Sequence, residues 1–347
     1  MNSEIIKPYS VLWRKCAALL LAGLLLSGCT AHGEKPVTSV KIGIIVYDQY
    51  DNFISELMKV IIDEAAAIKD ETGVTVNLDM LDAAGNQSTQ NEQVRKLIKK
   101  GCDVVCVNLV DRTEPTVISE LGEKNNVPII YFNRELVAED LERWDRLYYV
   151  GADAFQSGIL EGEIAADAFL NDPSADKNGD GIIQYIMLEG EAGHQDAIVR
   201  TEYSVNTIIE KGLKVEKLGY AIANWNRAQA KTQTTAMLLG EYGSSVELII
   251  SNNDAMALGA IDALETENIP RTEWPVIVGI DGIAEGLEAV QEGKMAGTVY
   301  NDKEGQGRNM LRLAYALAAG KSLEDLPVTE GKYIRLPYRK ILPETAE

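Results

Sequence analysis

The sequence predicts an α/β protein built as two doubly wound, parallel-sheet domains. Three observations carry this. Short apolar runs rich in Val and Ile, which read as strands buried on both faces, alternate with longer segments whose apolar residues recur at helical spacing. Strand starts near residues 41, 74, 103 and 127 lie about 24–33 residues apart, the length of a βα unit. The alternation then begins afresh and runs to residue 300, so the 347-residue chain holds two such series.

Residues 42–47 read as the first strand. A helix follows over 52–70, with Phe53, Leu57, Val60, Ile61 and Ala65 on one face. Residues 74–81 form the next strand, and 86–100 a helix with Val94, Leu97 and Ile98 turned inward and Gly101 as its stop. Strands over 102–109 and 127–132 flank a helix over 113–124. In the second series, strands fall at 147–150, 182–188, 213–220, 246–251, 276–280 and 298–300. Helices near 155–170, 195–212, 227–240, 254–266 and 283–292 separate them. A helix over 303–319 and an apolar tail over 333–342 follow. No low-complexity linker divides the two series, so short crossings are expected between them.

The N-terminal segment follows a different rule. Arg14 and Lys15 precede an apolar run over 16–26. At about 11 residues it is too short for a hydrocarbon core that needs ~20, but it has the length of a signal-peptide core. It ends in Leu26-Ser27-Gly28-Cys29, which resembles the bacterial lipobox, in which the cysteine is lipidated and becomes the first mature residue. Residues 1–28 are therefore expected to be a signal peptide, Cys29 the lipidation site and 29–39 a tether, with the protein held on the outer side of the cell membrane. Removing 1–28 takes three basic side chains and one acidic one, lowering the net charge by two from −20. Such acidity excludes nucleic acid, whose phosphates need a basic footprint, and electrostatic adsorption to anionic lipid; it keeps an exported protein soluble. Cys102 and Cys106 stand four apart on one strand, ~13 Å, too far for a disulfide, and read as packed thiols.

The chemistry gathers at strand ends. Asp51-Asn52-Phe53 follows the first strand, Asn108 the third, and a segment holding His194, Asp196 and Arg200 the strand ending at Leu188. Asn252-Asn253-Asp254, Asp281-Gly282 and Asn301-Asp302 close three more. Carboxylates accept from hydroxyls, amides accept and donate, and a planar guanidinium donates to two oxygens; a neutral polyol needs this set. Any one Asx residue after a strand can be a turn former or a helix cap. Six of them across both halves point to a site, since open α/β sheets bind ligands at the carboxyl ends of their strands. Asp196 and Arg200, four apart, either pair with each other or fix the guanidinium for a hydroxyl. Phe53 and Trp225 either fill core or stack on the C–H faces of a sugar.

A separate segment, from Asp176 to Gln184, fits the first nine positions of a calcium loop. Oxygens stand at Asp176, Asn178 and Asp180, a glycine at 181, a backbone carbonyl at Ile182 and an amide at Gln184. Met187 occupies the place of the bidentate glutamate, so the segment is either an Asx-rich turn or a site completed by an acid from elsewhere. No nucleophile elbow, metallohydrolase or phosphate-loop motif is present, and the two histidines are His32 and His194. A binding protein and not an enzyme is expected.

Ile42-Gly-Ile-Ile-Val-Tyr47, Tyr50-Asp-Asn-Phe53, Val107-Asn-Leu-Val-Asp111, Gly193-His-Gln-Asp-Ala197 with Arg200, Asn252-Asn-Asp-Ala-Met-Ala257 and Gly297-Thr-Val-Tyr-Asn-Asp302 occur in this order. Together, over about residues 40–340, they resemble the bacterial periplasmic glucose/galactose-binding proteins, type I sugar-binding components of ABC importers. The resemblance implies that Asp51, Asn108, His194, Asp196, Arg200, Asn253, Asp281 and Asn301 hydrogen-bond a hexose while Phe53 and Trp225 stack on its faces. It implies calcium on Asp176, Asn178, Asp180, Ile182 and Gln184, with Glu247 supplying the missing carboxylate. It implies three crossings between domains, near 132–134, 299–302 and 335–338, hence an N-terminal lobe of 40–132 plus 302–335 and a C-terminal lobe of 133–301 plus 336–347. A monomer that delivers D-galactose or D-glucose to an ABC permease is expected; presentation of the hexose to a chemotaxis or signalling receptor is the alternative. A glycosidase is disfavoured, because the same acids serve as hydroxyl acceptors. Gln195 stands where the family usually has proline, Ile182 replaces a polar residue that used only its backbone, and the lipobox departs from freely periplasmic members.

Overall fold

A computed structural model describes residues 37–240 and 243–344. The first sheet contains β1 (Ser39–Val46), β2 (Thr75–Asp82), β3 (Val104–Val107), β4 (Ile129–Phe132), β5 (Leu147–Ala152) and β11 (Tyr333–Leu336). Their spatial order is β11-β5-β4-β3-β1-β2, and all pairs are parallel. The second sheet contains β6 (Ile182–Glu189), β7 (Lys214–Ile222), β8 (Leu248–Ser251), β9 (Val276–Asp281), β10 (Gly297–Tyr300) and β12 (Arg339–Ile341). Its order is β12-β10-β9-β8-β6-β7, parallel except for β12, which runs antiparallel to β10.

Helices connect the strands: α1 (Asn52–Thr72), α2 (Gln87–Lys99), α3 (Thr116–Asn125) and the short α4 (Ala138–Leu141) among the first-sheet strands. α5 (Ala154–Asn171), α6 (Gln195–Glu210), α7 (Arg227–Leu238), α8 (Asp254–Thr266) and α9 (Ala284–Gln291) serve the second, and α10 (Lys303–Ala318) follows β10. The β1 run Ile-Gly-Ile-Ile-Val is buried because successive side chains enter two different cores. Ile42 and Ile44 pack with Phe53, Leu57 and Ile61 of α1 and with Met310 and Leu311 of α10. Ile45 packs on the other face with Val94, Leu97 and Val107. Helix covers both faces of the sheet, as continuous apolar strands require.

One expected boundary is corrected. The expected first crossing near 132–134 places β5 in the second lobe, but β5 pairs with β4 and β11 inside the first sheet. The chain leaves this sheet only after Ala152, so residues 133–152 belong to the N-terminal lobe. The reason is local: between β4 and β5 the crossover shrinks to the four-residue α4, which hides the βα rhythm, and a doubly buried run such as Leu-Tyr-Tyr-Val suits either sheet. The chain returns between β10 and α10, which packs against α1, and crosses again between β11 and β12. Among the described residues, no helix is long and apolar enough to cross a membrane. Cys29, the expected signal peptide and the tether up to residue 36 lie outside the described residues.

Candidate functional site

The carboxyl ends of both sheets face one narrow cleft. The first lobe lines it with Tyr47, Asp51, Phe53, Asn133 and Arg134, the second with His194, Asp196, Arg200, Trp225, Asn253 and Asp281. Eight of the ten sequence-predicted contacts are thus brought together. Asn108 and Asn301 are not among the lining side chains. Asn108 accepts from the Tyr47 backbone N–H at 3.4 Å and donates to Phe132 O and Asn133 Oδ1, both at 3.1 Å. Asn301 donates to Asp281 Oδ1 at 3.4 Å and accepts from Gln306. Each stands one layer behind, holding a lining residue.

Several lining residues double as helix caps, which places them. Asp51 caps α1 by accepting from Ile54 N at 2.9 Å, and its second oxygen accepts from the Tyr47 hydroxyl at 2.6 Å. Asn253 caps α8, and His194 caps α6 through Nδ1, which accepts from Asp196 N at 3.1 Å. That bond assigns the proton of the neutral ring to Nε2, leaving Nε2–H as the donor. Burial, reinforced by Arg134 and Arg200, pushes the His194 pKa well down, so the ring is neutral.

Arg200 is almost fully buried and held from four sides. Its Nε donates to Ser157 Oγ at 3.2 Å, Nη1 to Asn252 O at 2.8 Å, and Nη2 to Asp196 Oδ2 and Tyr338 Oη, both at 3.1 Å. Asp281 Oδ1 lies 3.7 Å from Nη1. Of the two readings of Asp196 and Arg200, the structure shows the pairing with each other, and it lies inside the site. Burial raises the pKa of Asp51 and Asp196, with Arg200 opposing it at Asp196, and pushes Asp281 up to about 8. Phe53 and Trp225 supply one ring from each lobe, and the His194 ring meets Trp225 edge-on at 5.2 Å.

Tyr47, Asn133 and Arg134 were not expected as site residues. The strand-end rule could have found the last two, since they follow β4 directly. Arg134 lies 3.7 Å over the Tyr47 ring, and its guanidinium donates to Val110 O at 2.6 Å and to Glu191 Oε2 at 2.7 Å. Because Glu191 follows β6, this pair ties the lobes together at the cleft. A second tie runs from Glu56 on α1, which accepts from Ala284 N at the start of α9 at 3.2 Å and pairs with Lys303 at 3.0 Å.

Two parallel sheets, three crossings and a polar cleft between them have a counterpart among known proteins: residues 42–322 match the periplasmic binding protein domain. The chain belongs to the periplasmic binding protein family. It is 37% identical over 301 residues to the D-galactose/methyl-galactoside binding periplasmic protein of Haemophilus influenzae, covering 86% of this chain and 88% of that one. A putative rhizopine-binding protein of Rhizobium meliloti is 27% identical over 305 residues, 88% of this chain and 91% of that one. Among solved structures, an ABC transporter solute binding protein from Bacillus halodurans with bound myo-inositol superposes with a TM-score of 0.74 at 27% identity, over 90% of this chain and 97% of that one. As a periplasmic binding protein, this chain is an extracytoplasmic binding component and not an enzyme.

In this periplasmic binding protein the segment expected to hold calcium is shaped by Asx turns. Asp176 accepts from Gly179 N and Gly181 N at 2.8 and 2.9 Å, Asn178 from Asp180 N at 2.8 Å, and Asp180 from Ile182 N at 2.7 Å. Glu247 is buried beneath it. Its carboxylate accepts from the backbone N–H of Lys177 at 2.7 Å, of Asn178 at 3.4 Å and of Gln184 at 3.3 Å. The Gln184 side chain meets both Asn178 and Asp180, at 3.1 and 3.0 Å. The donor set is all oxygen, the chemistry of a hard cation. Among the described residues, no three His, Cys, Asp or Glu side chains stand close enough to hold a metal ion as placed.

Proposed function

We propose that this protein is a lipid-anchored sugar-binding protein that captures D-galactose or D-glucose between its lobes and delivers it to an ABC sugar importer. The observation that carries this reading is the cleft, which sets three carboxyls, two guanidiniums and two asparagine amides beside the rings of Phe53 and Trp225, one from each lobe. Hydroxyl groups satisfy the polar members, and the C–H faces of a pyranose suit the rings. A relative named for D-galactose and methyl-galactoside and a solved structure with bound myo-inositol both concern neutral polyols, which fits the same set. Asn108 and Asn301 would act on the hexose through Asn133 and Asp281 or directly once the cleft is filled. The two ties across the cleft, Arg134–Glu191 and Glu56–Ala284, would be made on closure and broken on release.

Calcium belongs to this reading. Asp176, Asn178, Asp180, the Ile182 carbonyl, Gln184 and Glu247 would hold it, with the Gln184 amide turned to present its oxygen. The buried Glu247 carboxylate, which faces only backbone donors in the loop contacts above, would gain a counter-charge. Lipidation at Cys29 would tether the chain; Cys29→Ser should shift it from the membrane fraction to the soluble extracytoplasmic fraction.

Isothermal titration of the full-length chain with glucose, galactose, ribose, arabinose and myo-inositol tests the sugar. One-to-one binding of a hexose, tighter than that of either pentose, is expected. Tighter binding of myo-inositol or ribose would transfer the site to those ligands, and silence toward all five would overturn the proposal.

A further inference from the structure

The geometry points to Gly190 as the residue that positions Trp225 in the cleft. The inference rests on the sugar-binding reading above and names what sets the width of that site. Gly190 is the first residue after β6, buried, with its N–H donated to Asn252 Oδ1 at 3.2 Å. Its backbone is not in the left-handed region that favours glycine, so conformation does not demand glycine there. Space does. A Cβ at this position would stand 2.2 Å from Cη2, 2.2 Å from Cζ2 and 2.4 Å from Cζ3 of Trp225, so the six-membered edge of the indole lies flat on the glycine.

The ring cannot retreat cheaply. Asn224 and Trp225 both have left-handed backbones, with φ of 51° and 61°, an arrangement non-glycine residues adopt only when the surroundings hold them. Asn224 Nδ2 donates to Gln229 Oε1 at 2.8 Å, and Asn226 caps α7 by accepting from Gln229 N at 3.0 Å, so the turn is anchored on both sides. His194 stands edge-on at 5.2 Å and the Arg200 guanidinium at 5.8 Å from the indole. A methyl group at 190 would therefore drive the indole away from β6 toward the cleft, narrowing the space a six-membered sugar ring needs. Gly190 acts through Trp225 and makes no contact of its own with ligand, so it is a positioning residue that sets ring-size specificity.

Gly190→Ala in the full-length chain tests this, with tryptophan emission of the ligand-free protein and titration with D-galactose as readouts. Trp225→Phe identifies which part of the emission belongs to Trp225, since Trp13, Trp144 and Trp274 also contribute. The expected result is a shifted Trp225 emission and galactose affinity weakened by about tenfold or more, the scale of losing an aromatic stack and its alignment. Trp225→Leu should weaken affinity in the wild-type background and add little in the Gly190→Ala background, because the stack is already lost. Unchanged emission with unchanged affinity, or additive losses, would overturn the inference. If Gly190→Ala does not fold, folding of Gly190→Ala/Trp225→Leu supports it, and failure of both overturns it. If the wild type does not bind galactose, the sugar reading fails, and the emission shift alone decides the role of Gly190.

Discussion

Replacing Arg200 by methionine removes the cation at the centre of the site while keeping its bulk. The structure sets the size of the effect. Nε, Nη1 and Nη2 serve Ser157, Asn252, Asp196 and Tyr338, and the Asp196 and Asp281 side chains are only 12% and 8% exposed. Breaking a buried ion pair by deleting one partner costs about 3–5 kcal/mol, because the other charge is left uncompensated. Asp281, already pushed up to about 8, answers by keeping its proton near neutral pH, whereas Asp196 bears most of the loss. Arg200→Met should therefore lower the melting temperature by about 5–8 °C at neutral pH, and by more at higher pH, where holding protons on the two acids grows costlier. Adding Asp196→Asn should recover at least about 1 kcal/mol, since an amide beside methionine leaves no buried charge. Thermal melts of the four chains of this cycle at about pH 6 and about pH 9 measure both effects. A loss under about 1 kcal/mol, or one identical at the two pH values with no recovery from Asp196→Asn, would refute the view that Arg200 compensates the buried acids.

Two further predictions follow from buried charge. Burial pushes Asp281 up to about 8 and Asp254 up to about 7, against an ordinary 3.8, so in this range the folded chain holds protons that the unfolded chain has released. Stability of the ligand-free protein should fall as pH rises from about 6.5 to about 8.5, a window in which His194, neutral when folded and ordinarily titrating near 6.5, no longer contributes; a flat profile in urea titrations across that window would contradict it, and Asp281→Asn should lessen the slope. Removing calcium with a chelator should lower the melting temperature of the wild type, the stability lost being about 2.7 kcal/mol if the metal had been present at a hundredfold excess over its Kd. Glu247→Gln should make the protein indifferent to the chelator; indifference of the wild type itself would make the loop an Asx-rich turn.

How much of this was legible in the sequence depends on whether the deciding interaction is local. Strand ends, caps and the helical spacing of α1 are local, and they place Asp51, Phe53, His194, Asp196 and Arg200 without knowledge of the fold. Asn108 and Asn133 show where local reading stops. Both follow doubly buried strands, and only the lateral order of β1, β3 and β4 decides that Asn108 lies between them, spending its amide on Tyr47, Phe132 and Asn133, while Asn133, at φ 62°, turns into the cleft. β5 poses the same problem one level up. Its run of apolar residues is right for a strand in either sheet, and the choice is made by pairing with β4 and with β11, a partner about 185 residues away. The lobe boundary inherits that choice. Arg134 combines both levels: its place just after β4 is local, whereas its reach to Glu191 depends on how the second lobe sits against the first. The tie across the site thus rests on the meeting of two lobes, which no stretch of local sequence encodes, and that is why the contacts within each strand end could be read directly and those between the lobes could not.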